Sequence, residues 1–304
     1  MLKTICAIFL FIYLPFNSFS YPLQKQDWHV KTEPPFSVYF QEEGNSSANF
    51  ILKTLLKAHQ KLSSEFQIQL NDSITVFLAP SQKIFQQVVG QSIPKWSNGV
   101  ASPYTNVIVL KAPSWMPPET DNRAIVVHEL THLFVNKATK GQPIPRWLNE
   151  GLAVYYSGEK AFASGSLISK ALITKSLIEL SDIDDVLEFH RGKAQLAYQQ
   201  SYLAVVFLID QYEMPVVKEI LFQISQGKNS NEAFLEVIGI DLWDFEDEWI
   251  EYVQKKYRWN FLIDFDTYFW IFLVLLFILI FLFIKRRNRK TVQRWEYEES
   301  ELEW

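Results

Sequence analysis

The stretch "AIVVHELTHLFVNKATKGQPIPRWLNEG", Ala124–Gly151, decides how this chain reads. His128 and His132 stand four apart, so on a helix they share one face and can turn both imidazoles toward one point. Glu129 sits about 100° further round such a helix, where it reaches a water beside that point rather than the point itself. Two imidazoles and an adjacent carboxylate suit a divalent metal with a hydrolytic water. A catalytic zinc takes three protein ligands and keeps one position open, so a third group must come from elsewhere. Glu150, 18 positions after His132, is the candidate. That interval lets the first helix end, lets Gly141, Pro143 and Pro145 reverse the chain, and puts Glu150 in the first turns of a second helix. Gly151 beside it leaves room for close approach. The plain alternative is a helix with two surface histidines and an unrelated glutamate. The apolar run "AIVVHELTHLFV" speaks against it, because histidines and a glutamate are costly to bury without partners.

On the N-terminal side, "FSVYF" alternates and predicts a strand. A helix is expected from about Ala48 to Phe66, capped by Ser47. "SITVFLAP" predicts the next strand, and Ser81 caps a helix through about Val89. "GVASPYTNVIVLKAP" predicts a hairpin, with a strand near Val100, a turn at Pro103–Asn106 and a strand at Val107–Lys111. On the C-terminal side the motif helix should run from about Asn122 to Lys140 and the next from Pro145 to Gly158. Further helices are expected near 166–177, 194–212, 214–226, 230–238 and 241–258. The fold class is therefore α+β: a small mixed β-sheet in the N-terminal part and a mainly α-helical C-terminal half. In "DLWDFEDEWIEYV", Trp243, Phe245, Trp249 and Ile250 are expected to turn partly inward, with the charges on a solvated face.

The two ends of the chain predict where it resides. Residues 1–20 read as a signal peptide: Lys3, an apolar run too short to span a bilayer, then Ser18 and Ser20 before a cut at Tyr21. The single cysteine, Cys6, lies in that run, so the mature chain has neither disulfides nor a cysteine nucleophile. Residues 267–284 are uncharged and apolar, enough for a transmembrane helix. Six basic residues lie in the fifteen that follow and three in the fifteen before. The positive-inside bias then makes 285–304 a short cytoplasmic tail and leaves 21–266 as an extracytoplasmic domain. The expected location is a cell membrane, crossed once. A bacterial envelope is favoured by the cysteine-free mature chain, while sequons at Asn45 and Asn71 leave a eukaryotic surface open. Residues 21–284 hold 22 basic against 29 acidic residues, so nucleic acid is not an expected partner. The expected partners are a peptide or protein substrate and, through the C-terminal helix, the membrane.

The residues "VVHELTHLFVNKATKGQPIPRWLNEGLAVYYSG" and "LAYQQSYLAVVFLIDQYE" resemble the peptidase MA-like family, within the gluzincin clan of metallopeptidases. The resemblance covers roughly residues 30–255. It implies a thermolysin-like fold, a Zn2+ ion held by His128, His132 and Glu150, and Glu129 as general base. It also implies a tyrosine on a later helix that steadies the oxyanion, matched by Tyr198, with Tyr202 one turn on as competitor. The glycine-alanine-methionine-glutamate-asparagine motif by which aminopeptidases of the clan hold a substrate amino terminus is missing. Other zinc classes fit less well. Metzincins need Gly and a third His where this chain has Val135 and Ala138, and intramembrane zinc proteases place the motif inside a membrane-length segment. His29, His59 and His190 show no metal-like spacing. The expected activity is that of a membrane-anchored zinc metallopeptidase. An extended substrate would pair with the strand at Val107–Leu110 or with its neighbour near Val100. The competing readings are a membrane-tethered binding or scaffold protein on a non-catalytic metalloprotease-like fold, and a membrane factor that cuts one specific partner.

Overall fold

The computed structural model describes residues 28–41, 44–90, 94–118, 120–159, 165–258 and 265–302. The signal peptide expected at 1–20 lies outside them. Five strands form one sheet in the order β1-β2-β3-β5-β4: β1 His29–Glu33, β2 Phe36–Phe40, β3 Ile74–Ala79, β4 Gly99–Ser102 and β5 Val107–Lys111. The β2–β3 and β3–β5 pairs are parallel, and both edge strands, β1 and β4, are antiparallel to their neighbours. The sheet is therefore mixed, as the sequence predicts.

Period-2 alternation makes β2 a strand with one buried face, Phe36, Val38 and Phe40. Every residue of β5 is buried, as befits a strand paired on both sides. Its hydrogen bonds are taken up by β3 and β4, which corrects the expectation that Val107–Leu110 offers an edge to substrate. That edge belongs to β4. β1 was not predicted: "HVKTE" is mostly polar, and four of its five residues are exposed, so it lacks the apolar face by which a strand is recognised.

Helix α1, Asn45–Phe66, begins earlier than predicted, with Gly44 at its N-cap and no side chain capping it; Ser47 lies inside its first turn and is not the cap. Helix α2, Gln82–Val89, starts as predicted, with the Ser81 side chain accepting from the Ile84 N–H. Helices α3, Asn122–Ala138, and α4, Arg146–Ser157, carry the motif. Asp121 caps α3 by accepting from the N–H groups of Arg123 and Ala124. Then come α5, Ser166–Thr174, α6, Arg191–Tyr212, α7, Met214–Ser225, α8, Ser230–Ile238, α9, Leu242–Tyr257, and α10, Phe265–Leu302. Two short 3-10 helices, Pro113–Trp115 and Ser181–Glu188, were not predicted.

The described residues of 1–163 and 178–249 form one unit. In its helical half, the Trp147 ring stacks on Phe245 at 5.4 Å, and Phe234 meets Phe245 edge-on at 5.3 Å. Phe245 and Trp249 are fully buried, each contributing about 1.5–3 kcal/mol through the apolar surface removed from water. Trp243 is 66% exposed, against the expectation that it turns inward: α9 has one apolar face, and Trp243 falls off it. Glu246 on the same helix is buried and accepts the Leu180 N–H at 2.8 Å, so this charge is not on a solvated face. Gln200 of α6 is fully buried and makes a two-way bond with the Ile178 backbone, accepting at 2.9 Å and donating at 2.6 Å.

The second unit comprises 164–177 and 250–304. In it Ser169 Oγ donates to the Tyr257 carbonyl at 2.6 Å. Its last helix, α10, contains one segment, Tyr268–Trp295, long and apolar enough to cross a membrane. The helix does not stop after residue 284 but runs on through "KRRNRK" to Leu302.

Candidate metal centre

Helix α3 presents His128 and His132 on one face, their rings 5.0 Å apart and nearly perpendicular. The reversal to α4 is made by Lys140 and Gly141, both with positive φ. The N–H of Arg146, at the start of α4, is capped by Asp184 Oδ1 at 3.0 Å. One turn later, Glu150 Oε2 lies 3.3 Å from His128 Nε2 and 3.6 Å from His132 Nε2. One potential ligand atom from each of the three side chains falls within 4.8 Å of the others. Glu150 Oε1 has the Arg146 guanidinium at 3.4 Å. Oε2 is buried and has no hydrogen-bond donor among the described residues. Buried carboxylate oxygens are rarely left so, and this one is aimed at two imidazole nitrogens. Two neutral nitrogens and one such oxygen are the donor set a divalent cation takes up. The group could hold a metal ion.

The His132 ring is oriented from behind. Asn149 Oδ1 is an acceptor only, so His132 Nδ1–H donates to it at 2.9 Å and leaves Nε2 with its lone pair facing Glu150. Glu159 Oε1 lies 3.2 Å from His128 Nδ1. Burial alone would lower the His128 pKa, but Glu150 and Glu159 overcome it and hold it well above 6.5. His132 is lowered, chiefly by burial. Burial would raise Glu150, but His132, His128 and Arg146 bring it down to about 2. Glu150 is thereby held as a carboxylate.

Glu129 is buried, and burial pushes its carboxyl up to about 7. It hydrogen-bonds the backbone of Ala101 on the edge strand. Gly99 on the same strand makes that approach possible, since a Cβ there would lie 2.6 Å from Glu129 Oε1. Trp96, Gly99, His128, Glu129, Arg191 and Tyr198 are among the residues that line one cleft. The Tyr198 ring meets both His128 and Trp96 edge-on at 6.2 Å. Burial, reinforced by Glu150 and Glu129, raises its pKa well above 10, so it stays a hydroxyl donor. Tyr202, the competitor, is half-buried one turn along α6 and is not among the residues lining the cleft. The other three histidines lie apart from this group. The His59 ring packs edge-on against Phe36, His190 caps α6, and His29 tilts over Phe40.

The family model of the peptidase MA superfamily matches residues 54–255. The chain belongs to the peptidase MA superfamily. No curated protein matches it. In this peptidase MA chain the matched span takes in α3, α4 and α6, and so every residue of the predicted constellation. Sequence reasoning did not find Glu159, Asn149 or the wall of the cleft. Asn149 was visible inside "WLNEG", as a neutral acceptor one residue before the candidate ligand. Glu159 had no periodic signal, because it lies beyond the end of its helix. The wall depends on Lys111, which is buried, donates through Nζ to the Lys95 carbonyl at 2.8 Å and lies over the Phe85 and Trp115 rings.

Proposed function

We propose that this chain is a membrane-anchored, zinc-dependent metallopeptidase. The observation that carries this reading is the unsatisfied Glu150 Oε2 facing the two histidine Nε2 atoms, with the Glu129 carboxyl in the same cleft. Zinc held by His128, His132 and Glu150 supplies Lewis acidity toward a water and a peptide carbonyl. Glu129 takes a proton from that water and returns it to the leaving amine. Tyr198 donates its hydroxyl to the carbonyl oxygen as that oxygen gains negative charge. The substrate chain lies in the cleft that Gly99, Glu129, Arg191 and Tyr198 help to line. Trp96 and Tyr198, which meet edge-on, line the same cleft. A signal peptide at 1–20 delivers residues 21–266 across the membrane, the apolar segment from residue 267 anchors them there, and the C-terminus stays in the cytoplasm.

The test is metal content and turnover of the purified full-length protein. About one zinc per chain, lost in Glu150→Ala, with peptide cleavage lost in Glu129→Gln, supports the proposal. No zinc uptake by the wild type even when supplied overturns it in favour of a binding protein on the same fold.

A further inference from the structure

We propose that Glu159 is a positioning residue of this metal centre. Its carboxylate holds the His128 imidazole through Nδ1, so that Nε2 faces the site. The inference rests on the metal-site reading above.

His128 Nδ1 is buried and has no aligned hydrogen-bond partner among the described residues, and a buried ring N–H left so is costly, which makes a charged group within reach the natural one to hold it. Glu159 Oε1 reaches it at 3.2 Å. The chain delivers Glu159 by a specific route. Helix α4 carries Glu150 and ends at Gly158, whose φ of +68° turns the backbone out of the helix. Glu159 follows at once, and the Ser157 hydroxyl donates to its Oε1 at 3.3 Å. One helix and its cap therefore address both nitrogens of a single imidazole, Glu150 at Nε2 and Glu159 at Nδ1. Glu159 faces the nitrogen pointing away from the ligand cluster, so it is not itself a ligand.

The two histidines are held differently. His132 is oriented by the neutral amide of Asn149, which fixes the tautomer only. His128 is backed by a carboxylate, which also makes the ring a more basic donor. His128 is on this account the ligand whose quality depends on charge behind it.

The experiment compares wild type, Glu159→Gln and Glu159→Ala as full-length protein in detergent. Zinc affinity is measured by competition with a chelator, and visible absorption after loading with cobalt(II). The melting temperature of the metal-free form is recorded alongside. We expect zinc binding about 10–100-fold weaker in Glu159→Ala, a smaller loss in Glu159→Gln, whose amide still accepts the Nδ1–H, and an altered cobalt spectrum. The metal-free melting temperature should stay close to that of wild type. Unchanged zinc affinity and an unchanged cobalt spectrum in Glu159→Ala, whether or not the metal-free form melts lower, overturn the inference and leave the proposed function standing. A wild type that takes up no zinc overturns both.

Discussion

Gly151 lies directly against the backbone of Ser201: a Cβ added to it would sit 2.3 Å from the Ser201 carbonyl oxygen and 2.6 Å from the Val205 side chain. This contact sets how closely α4 approaches α6, and so how Tyr198 stands to the site that Glu150 helps to form. Gly151→Ala should cost at least ~1–3 kcal/mol, because a rigid backbone atom must move. The same variant should weaken zinc binding. Thermal melts of metal-free and zinc-loaded protein check both effects.

Gly99 plays the corresponding part on the other side of the site. Gly99→Ala should displace the Glu129 carboxyl, which a Cβ would meet at 2.6 Å. Zinc should remain bound while kcat falls toward that of Glu129→Gln, a loss on the order of 10^2–10^4-fold for removal of a general base. Metal analysis and steady-state rates on one preparation separate the two effects.

The metal-free protein should show a pH dependence with a definite sign. Glu129 is raised from 4.5 to about 7, so the folded chain holds a proton that the unfolded chain releases from about pH 4.5 upward. Stability should fall as pH rises from about 4.5 to 7. Glu150 is lowered to about 2; its contribution is full above pH 4.5 and is lost as pH falls toward 2. His132, lowered by burial, opposes the Glu129 fall below pH 6.5, so the Glu129 contribution is read from melting in the presence of a chelator as the difference between wild type and Glu129→Gln. Glu129→Gln should flatten the fall between pH 4.5 and 7.

Lys111→Met tests the wall of the cleft. The Lys111 ammonium holds the Lys95 carbonyl, and its backbone N–H holds the Asn98 carbonyl, so together they fix the loop that presents Trp96 to Tyr198. Loss of the ammonium leaves one carbonyl without its donor, costing about 1–3 kcal/mol. KM should rise more than kcat falls, because the wall shapes the cleft without touching the metal ligands.

The sequence made the helices of the motif legible because their signals are local: four-residue spacing, Gly141 after the first helix, and Pro145 and Gly158 at the two ends of the second. The three candidate ligands followed from that spacing and from the number of ligands zinc needs. β1 escaped because an exposed edge strand has no apolar face to announce it. Trp243 escaped because its apolar character points inward while its angle round the axis carries it off the buried face. Glu159 and Lys111 escaped for another reason: each acts at a place where chain segments distant from the motif converge, and no period in the sequence encodes that.

The open edge of the sheet has a consequence for solubility. β4 is four residues long. The Ala101 backbone is engaged by Glu129, and the Gly99 carbonyl accepts the Ser97 hydroxyl at 2.7 Å. Exposed edges invite stray strands from other molecules, and here a buried acid and a serine occupy two of the places where such a strand would attach. The same carboxyl proposed to move protons thus blunts the fold against sticking to its own copies, and replacing it by a smaller side chain would leave a protein more prone to aggregate during purification.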